Sequence, residues 1–547
     1  MGPQTNASVG KSTHGPSHYL HKHTAQNTNS LLLNDVTHHD IIEVCKKFTP
    51  KTSKDSAGFK QNIILSDIEI LAPVLAHLVN CSQKTGIFPE NGKIARVVPV
   101  YKLKGDKHLY ENYRPISLLP IFSKIIERLI YNKVFEFLVR YEILFESQYG
   151  FRTGHNTTHA TLDFIKNIEE CIEMGNYAIG VFCDLSKAFD TLNHSILLEK
   201  LDHYGIRGTA LKWFESYLSN RYQYVDLNGY SSSKLLLSTG VPQGSILGPL
   251  LFLLYVNDLP SASNLKCVTF ADDTNLLIQG NNFEALSNLN QELEGINDYF
   301  KANQLKLNPK KTKTVIFRKK TIPKNQKLPE IYLDGEKLGI YDDAQFLGIT
   351  IDSTLSWEKH CTNVANKIAR SNSMINRVKN LLPPPTLKIL YHSFIQPHVL
   401  YGLPAWGGCS AQNKKRIVNI QKRAIRTITK SYFSAHTEPR MKQLGLLKFN
   451  DLYEQQCLLL MHDCFYQHAP KKIQNLCSAQ YICEYNLRGQ APSTLDLKVP
   501  NYKSRAASNS FSAIAPKLWN NTISDLRKID QKALFKRQLK KSLLNKY

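Results

Sequence analysis

The stretch Leu265-Lys-Cys-Val-Thr-Phe-Ala-Asp-Asp-Thr-Asn-Leu-Leu-Ile278 sets two adjacent carboxylates, Asp272 and Asp273, at the apex of two apolar runs. Its β-branched and apolar flanks predict two strands joined at the Asp pair. Like charges this close are costly to keep ionised together unless Mg²⁺ or a similar ion lies between them. Taken alone, Asp-Asp is also a common solvated turn.

A second apolar run of strand length, Tyr177-Ala-Ile-Gly-Val-Phe-Cys183, delivers Asp184 at its C-terminal end and continues as Leu185-Ser-Lys-Ala-Phe-Asp190. Strand ends are where sites are commonly built. Asp184, Asp272 and Asp273 would supply the three carboxylates of two-metal phosphoryl transfer, in which one ion activates a hydroxyl and the other steadies leaving phosphate oxygens. Metal-dependent nucleases and ligand-binding carboxylates present similar sets. Between them, Gly240-Val-Pro-Gln-Gly-Ser-Ile-Leu-Gly-Pro249 is a turn punctuated by glycine and proline that leads into an apolar helix over 250–256. Such a turn lets backbone approach a flat ligand closely.

In this order and spacing, Phe182-Cys-Asp-Leu-Ser-Lys-Ala-Phe-Asp190, Val241-Pro-Gln-Gly-Ser245 and Phe270-Ala-Asp-Asp273 resemble the palm motifs of the reverse transcriptases of non-LTR, LINE-type retrotransposons. That resemblance implies an α+β fold of the right-hand polymerase kind. Fingers and palm would form an antiparallel sheet packed on helices, followed by a helical thumb and a mainly helical, basic C-terminal region. It also implies RNA-directed DNA synthesis, with two Mg²⁺ ions (or Mn²⁺) held by Asp184, Leu185, Asp272 and Asp273.

Val98-Pro-Val-Tyr-Lys-Leu-Lys-Gly105 and Asn112-Tyr-Arg-Pro-Ile-Ser-Leu-Leu119 resemble the segments that grip the triphosphate, making Lys102 and Arg114 its candidate phosphate contacts. Gln243 and Gly244 of the glycine turn join them as candidate nucleotide contacts. Gln148-Tyr-Gly-Phe-Arg-Thr-Gly-His155 resembles the template grip, with Arg152 on a phosphate. Leu305-Lys-Leu-Asn-Pro-Lys-Lys-Thr312 resembles the fourth palm motif, in which Lys311 would protonate the departing pyrophosphate. Phe346-Leu-Gly-Ile-Thr-Ile-Asp352 resembles the primer grip. By the same resemblance Phe189 packs beneath the sugar and leaves no room for a 2′-hydroxyl. With Ala271 it favours deoxynucleotides and argues against an RNA-dependent RNA polymerase.

The 547 residues exceed a single core and predict three or four units. A formal net charge of +24 points to a polyanionic partner held by phosphate contacts. Under the resemblance, the partners are an RNA template, a DNA primer or nicked target, and deoxynucleoside triphosphates. The longest apolar run, 246–256, contains Gly and Pro and is too short to span a bilayer. With no signal-peptide pattern at the start, a cytoplasmic and nuclear location outside any membrane is expected. Eleven cysteines without a Cys-x-x-Cys pair predict free thiols. The loose set Cys457, His462, Cys464, His468, Cys477 and Cys483 does not match zinc-knuckle spacing.

Composition predicts a disordered, histidine-rich tail over 1–26. The resemblance implies fingers over 27–175 and a palm over 176–355, with the polymerase domain spanning about 83–352. Helices are predicted at 31–47, 121–138 and 194–204, the last capped by Asn193. A helical thumb covers 356–435 and a basic region of unknown role 436–547. Lys414, Lys415, Arg416, Lys422, Arg423, Arg426 and Lys430, with no acid among them, fit the backbone of a primer–template duplex, although such runs are often solvated faces. The C-terminal region resembles that of CR1 and jockey elements. Too few residues precede the fingers for an apurinic-type endonuclease. The chain is therefore expected to be a fragment of a longer reading frame or a polymerase supplied with its nick. A degenerate element that only binds nucleic acid is the other reading.

Overall fold

The computed structural model describes residues 10–547 except 53, 104, 186–187, 228, 285, 320–327 and 477–495. Cys477 and Cys483 lie outside the described residues. Two sheets organise the first two thirds of the chain. Strand β1 (Ile94–Tyr101) pairs antiparallel with β2 (Tyr113–Leu118). The next strand, β3 (Tyr177–Cys183), starts a second sheet, whereas β4 (Arg221–Leu227) returns to run parallel beside β1 and carries β5 (Tyr230–Ser231) and β6 (Leu235–Leu237) on its far side.

In the second sheet β3 is central. It pairs antiparallel with β8 (Asp273–Gly280), which forms a hairpin with β7 (Lys266–Phe270), and on its other edge with β9 (Lys313–Phe317). The hairpin of β10 (Tyr332–Leu333) and β11 (Glu336–Lys337) leads to β12 (Ile340–Tyr341), which extends the sheet parallel to β9. A last hairpin joins β13 (Asp343–Phe346) to β14 (Ile349–Asp352).

Alternation along β3 explains why its sequence is a continuous apolar run. Ile179, Val181 and Cys183 face a core shared with the N-terminal helices and with the helix Leu247–Tyr255, buried except at Pro249, while Ala178 and Phe182 face a second core built with the C-terminal helices. The sheet is thus a partition between two cores. On the second side, the helix Thr157–Glu173 packs on β3 and β7 and carries C-terminal helices on its back. Beyond β14 the described residues are mainly helical, with Glu358–Val378 packed along Ala411–Ile428. The sheets and helices together make an α+β arrangement. No helix of the described residues is long and apolar enough to cross a membrane.

Local expectations meet the structure in several places. The helices Ile121–Arg140 and His194–His203 form where periodicity predicts them, and Asn193 caps the second through Ile196 N. Of the helix predicted over 31–47 only His38–Lys46 forms, because Thr37 starts it with a capping box and residues 31–37 lie outside it. The tail departs from expectation. Residues 16–23, predicted to be disordered within 1–26, form a helix that buries Tyr19 and Leu20. Tyr19 donates its hydroxyl to Asp298 at 2.6 Å and stacks edge-on against Tyr299, partners that composition counting over the first residues could not reveal.

Candidate active site

Register brings the acids together. Cys183 faces Thr274 and Phe270 faces Asp273, so Asp184, one residue beyond Cys183, emerges at the same end of the sheet as the 271–272 turn. That turn is a two-residue hairpin loop with Ala271 at φ +57°, a conformation that costs a non-glycine residue energy and needs support. Asp272 is half-buried and Asp273 opens to solvent. Desolvation in the cleft, then Asp272 and Asp184, push the Asp273 carboxyl up to about 6. Desolvation also raises Asp272, with Asp184 adding to it. Desolvated, clustered carboxyls of this kind gain from a nearby positive charge, and their hard oxygen donors suit a divalent cation such as Mg²⁺.

Lys311 brings a cation to the first acid. Its Nζ lies 3.4 Å from Asp184 Oδ2 while the side chain remains exposed. The segment that carries it is anchored to the first acid, since Asn308 N donates to the Asp184 carbonyl at 2.9 Å and Leu185 bridges Leu307. The Leu185 side chain is buried, so only its main chain is available to an ion.

The glycine turn lies between Asp190 and β2. Gln243 Nε2 donates to Asp190 Oδ1 at 2.9 Å, and the Gln243 carbonyl accepts from Ser117 N at 2.8 Å. Gly244, at φ +127°, leaves no room for a side chain, because a Cβ would stand 2.6 Å from the Ser117 carbonyl. Phe189 is half-buried beside this turn, stacked on Phe252 at 4.8 Å and met edge-on by Phe151 at 6.0 Å. On the β1–β2 hairpin, Arg114 is exposed and Lys102 donates to the Glu111 carbonyl at 2.8 Å.

Other candidates are differently engaged. Arg152 is half-buried and Nη1 donates to the carbonyls of Phe145 and Gln148, so these donors tie its own segment together. Along Ala411–Ile428, Arg416 bonds Thr362 and Glu358, and the Lys414 ammonium lies over the Tyr453 ring. Lys415, Lys422 and Arg423 are exposed and make no ion pair among the described residues. Of the C-terminal thiol and imidazole set, Cys457 and Cys464 are buried thiols. His462 and His468 sit within 4.8 Å of an Asp463 carboxylate that is paired with Lys532.

Two supporting residues escaped the sequence reading. Gln148 is buried and its Oε1 accepts both Gly150 N at 2.9 Å and Ala271 N at 3.1 Å, while residues 147–149 run alongside Thr269 as a backbone bridge. Glu127 is buried, and its Oε2 accepts Ile246 N and Leu247 N at the start of the helix that follows the glycine turn. Gln148 opens the segment that resembles the template grip, where Arg152 was the expected contact, and Glu127 lies outside every motif; an acid set among the apolar residues of 121–138 was the one signal it offered.

A family model described as reverse transcriptase (RNA-dependent DNA polymerase) matches residues 103–351. The chain is similar to the probable RNA-directed DNA polymerase from transposon BS of Drosophila melanogaster, 30% identical over 419 residues, covering 73% of this chain and 45% of that protein. It is 29% identical over 390 residues to the RNA-directed DNA polymerase from mobile element jockey of the same species, covering 69% and 42% respectively. A third match, to the probable RNA-directed DNA polymerase from transposon X-element, is 28% identical over 353 residues, or 62% of this chain and 38% of that protein. The chain spans less than half the length of these relatives.

Proposed function

Residues 103–351 of this chain are a domain of the reverse transcriptase family, in the RNA-directed DNA polymerase class, and from that premise we propose that the chain copies RNA into DNA for a non-LTR retrotransposon. In this reading the β1–β2–β4 sheet belongs to the fingers, the β3-centred sheet is the palm, and the helices after β14 begin with the thumb. The substrates are a deoxynucleoside triphosphate, an RNA template and a DNA 3′ end at a primer or nicked target.

One observation carries the proposal: Asp184 and the Asp272–Asp273 turn share one sheet end, with the Asp272 and Asp273 carboxyls raised and Lys311 against Asp184. Asp184, Asp272, Asp273 and the Leu185 carbonyl would hold two divalent ions, which when bound supply activation of the 3′-hydroxyl and charge relief on the pyrophosphate. Lys311 offers a proton donor on the leaving-group side. Lys102 and Arg114 supply charge for the triphosphate, Gln243 and Gly244 bring backbone and amide close to the nucleotide, and Phe189 closes the space below the sugar. Arg152, Lys414, Lys415, Arg416, Lys422 and Arg423 are assigned to template and primer, with the exposed Lys415, Lys422 and Arg423 the freest to reach phosphate.

Primer extension on an RNA template with a DNA primer and Mg²⁺ tests the reading. The wild-type chain should incorporate deoxynucleotides, and Asp272→Ala should abolish incorporation while retaining binding to the RNA–DNA duplex. A wild-type chain that binds duplex and incorporates nothing would reduce it to a nucleic-acid-binding remnant.

A further inference from the structure

The seven cations of 414–430 lead along the helix Ala411–Ile428 toward a loop that presents Tyr432 and Phe433 to solvent, 88% and 79% exposed. Elsewhere in the described chain, adjacent aromatics are packed inside: Trp213–Phe214 and Tyr299–Phe300 are buried and Phe465–Tyr466 half-buried. Leaving two neighbouring rings in water is costly, and here the exposure is held in place by the fold. Arg440 Nε donates to Ser431 Oγ and its Nη1 to the His436 carbonyl, both at 2.6 Å, while Arg426 Nε donates to the Ala435 carbonyl at 2.9 Å. Ser431 N bonds the Arg426 carbonyl, and Lys430 takes φ +49° to turn the chain out of the helix. The rings therefore stand on a braced loop.

The surrounding charge identifies the occupant. Residues 407–437 contain no acid; Lys415, Lys422 and Arg423 are exposed at spacings of seven and eight, which is one helical face, and the exposed Lys430 follows at the turn into the loop. Arg426 adds its guanidinium over the Phe433 ring at 5.6 Å. A row of cations ending in two exposed rings matches a strand of phosphates whose unpaired bases stack on aromatic faces. An acidic protein would satisfy the cations and leave the rings wet.

We infer that Tyr432 and Phe433 form a stacking platform for unpaired bases of single-stranded RNA, with the Lys415–Lys430 face holding its phosphates. This rests on the reading of the chain as a polymerase that copies RNA, and it adds a site for the unpaired strand on residues other than the carboxylate cluster. The platform reads no sequence, because every base has a π face.

Fluorescence anisotropy of the full chain with a labelled short oligoadenylate RNA tests it. The Tyr432→Ala/Phe433→Ala variant should lose roughly tenfold or more in affinity at fixed salt, the scale of one or two stacked bases, and leave the salt dependence of binding unchanged. Lys422→Ala/Arg423→Ala should flatten that salt dependence instead, and Tyr432→Phe should bind as the wild type does. In a separate reporter, Phe433→Trp should show tryptophan quenching when the RNA is added. Both positions are exposed, so thermal unfolding should be unaltered in every variant. Wild-type affinity in the double alanine variant, or an unquenched reporter, overturns the platform. Primer extension is scored independently: a chain that fails to extend yet shows the stacking losses would refute the polymerase reading and leave the platform standing.

Discussion

The side-chain carbonyl of Gln148 accepts the backbone N–H of Ala271, at 3.1 Å, and so holds the strained turn that carries Asp272. The same oxygen accepts Gly150 N, and Gly150 lies so close that a Cβ there would stand 2.2 Å from Ala271 N. Gln148→Met preserves volume and leaves two buried amide donors without an acceptor, each worth about 1–3 kcal/mol. A turn displaced by a fraction of an ångström should lower the primer-extension rate by about tenfold to a hundredfold and raise the Mg²⁺ concentration needed for half-maximal rate. Titration of Mg²⁺ in the extension assay checks this; an unchanged metal requirement would remove Gln148 from its supporting role.

Phe189 is clamped between Phe252 and Phe151, so its ring has little freedom to make way for a larger sugar. Phe189→Val should admit ribonucleotides and narrow the preference for deoxynucleotides by roughly tenfold or more, since a whole ring is removed beneath the sugar. Competing single-nucleotide incorporation of dNTP and rNTP measures the ratio. An unaltered ratio would show that the ring only fills core space.

The turn and its two strands were legible because the apolar runs that flank the Asp pair are neighbours in the chain, whereas the arrival of Asp184 at the same sheet end depends on the long-range pairing of β3 with β8 and was expected only from the grouping of the motifs. The cap at Asn193 was legible because it acts within three residues; the capping box at Thr37 is equally local but went unread, and the helix expected over 31–47 starts only at His38. What else escaped was non-local. Gln148 meets Ala271 across 123 residues, and Tyr19 meets Asp298 across 279, distances over which a single sequence carries no pairing signal. Arg152 illustrates the converse: its motif pointed to a phosphate, but burial gave two of its bonds to carbonyls of its own segment.

Asp273 links the candidate metal site to pH. Its folded carboxyl is raised to about 6, above the unfolded value, so without metal the folded state binds the extra proton and stability falls as pH climbs toward and through 6. A divalent cation needs the ionised form and reverses the trend. Mg²⁺ should therefore raise the melting temperature little at pH near 5 and clearly at pH near 7.5. Asp273→Asn should lose most of this metal-dependent increment. Thermal scans with and without Mg²⁺ at both pH values decide the matter, and an increment that does not depend on pH would detach Asp273 from metal binding.

Glu169 offers a purely structural test of the same electrostatics on the opposite side of the β3-centred sheet. It is buried in the helix Thr157–Glu173, and desolvation, only partly countered by Lys166 and reinforced by Glu170, pushes its carboxyl up to about 8. Because this folded value exceeds the unfolded one, the group favours folding while protonated, and that advantage disappears between its unfolded and folded titrations as pH rises to about 8. One pKa unit corresponds to about 1.4 kcal/mol, so the loss is on the order of a few kcal/mol. Glu169→Gln keeps the shape and stays neutral at every pH. Its urea midpoint should match the wild type near pH 5 and exceed it near pH 8.5. Equal midpoints at the higher pH would mean that the wild-type carboxylate ionises in place at no cost, and that the C-terminal helices packed over it admit water.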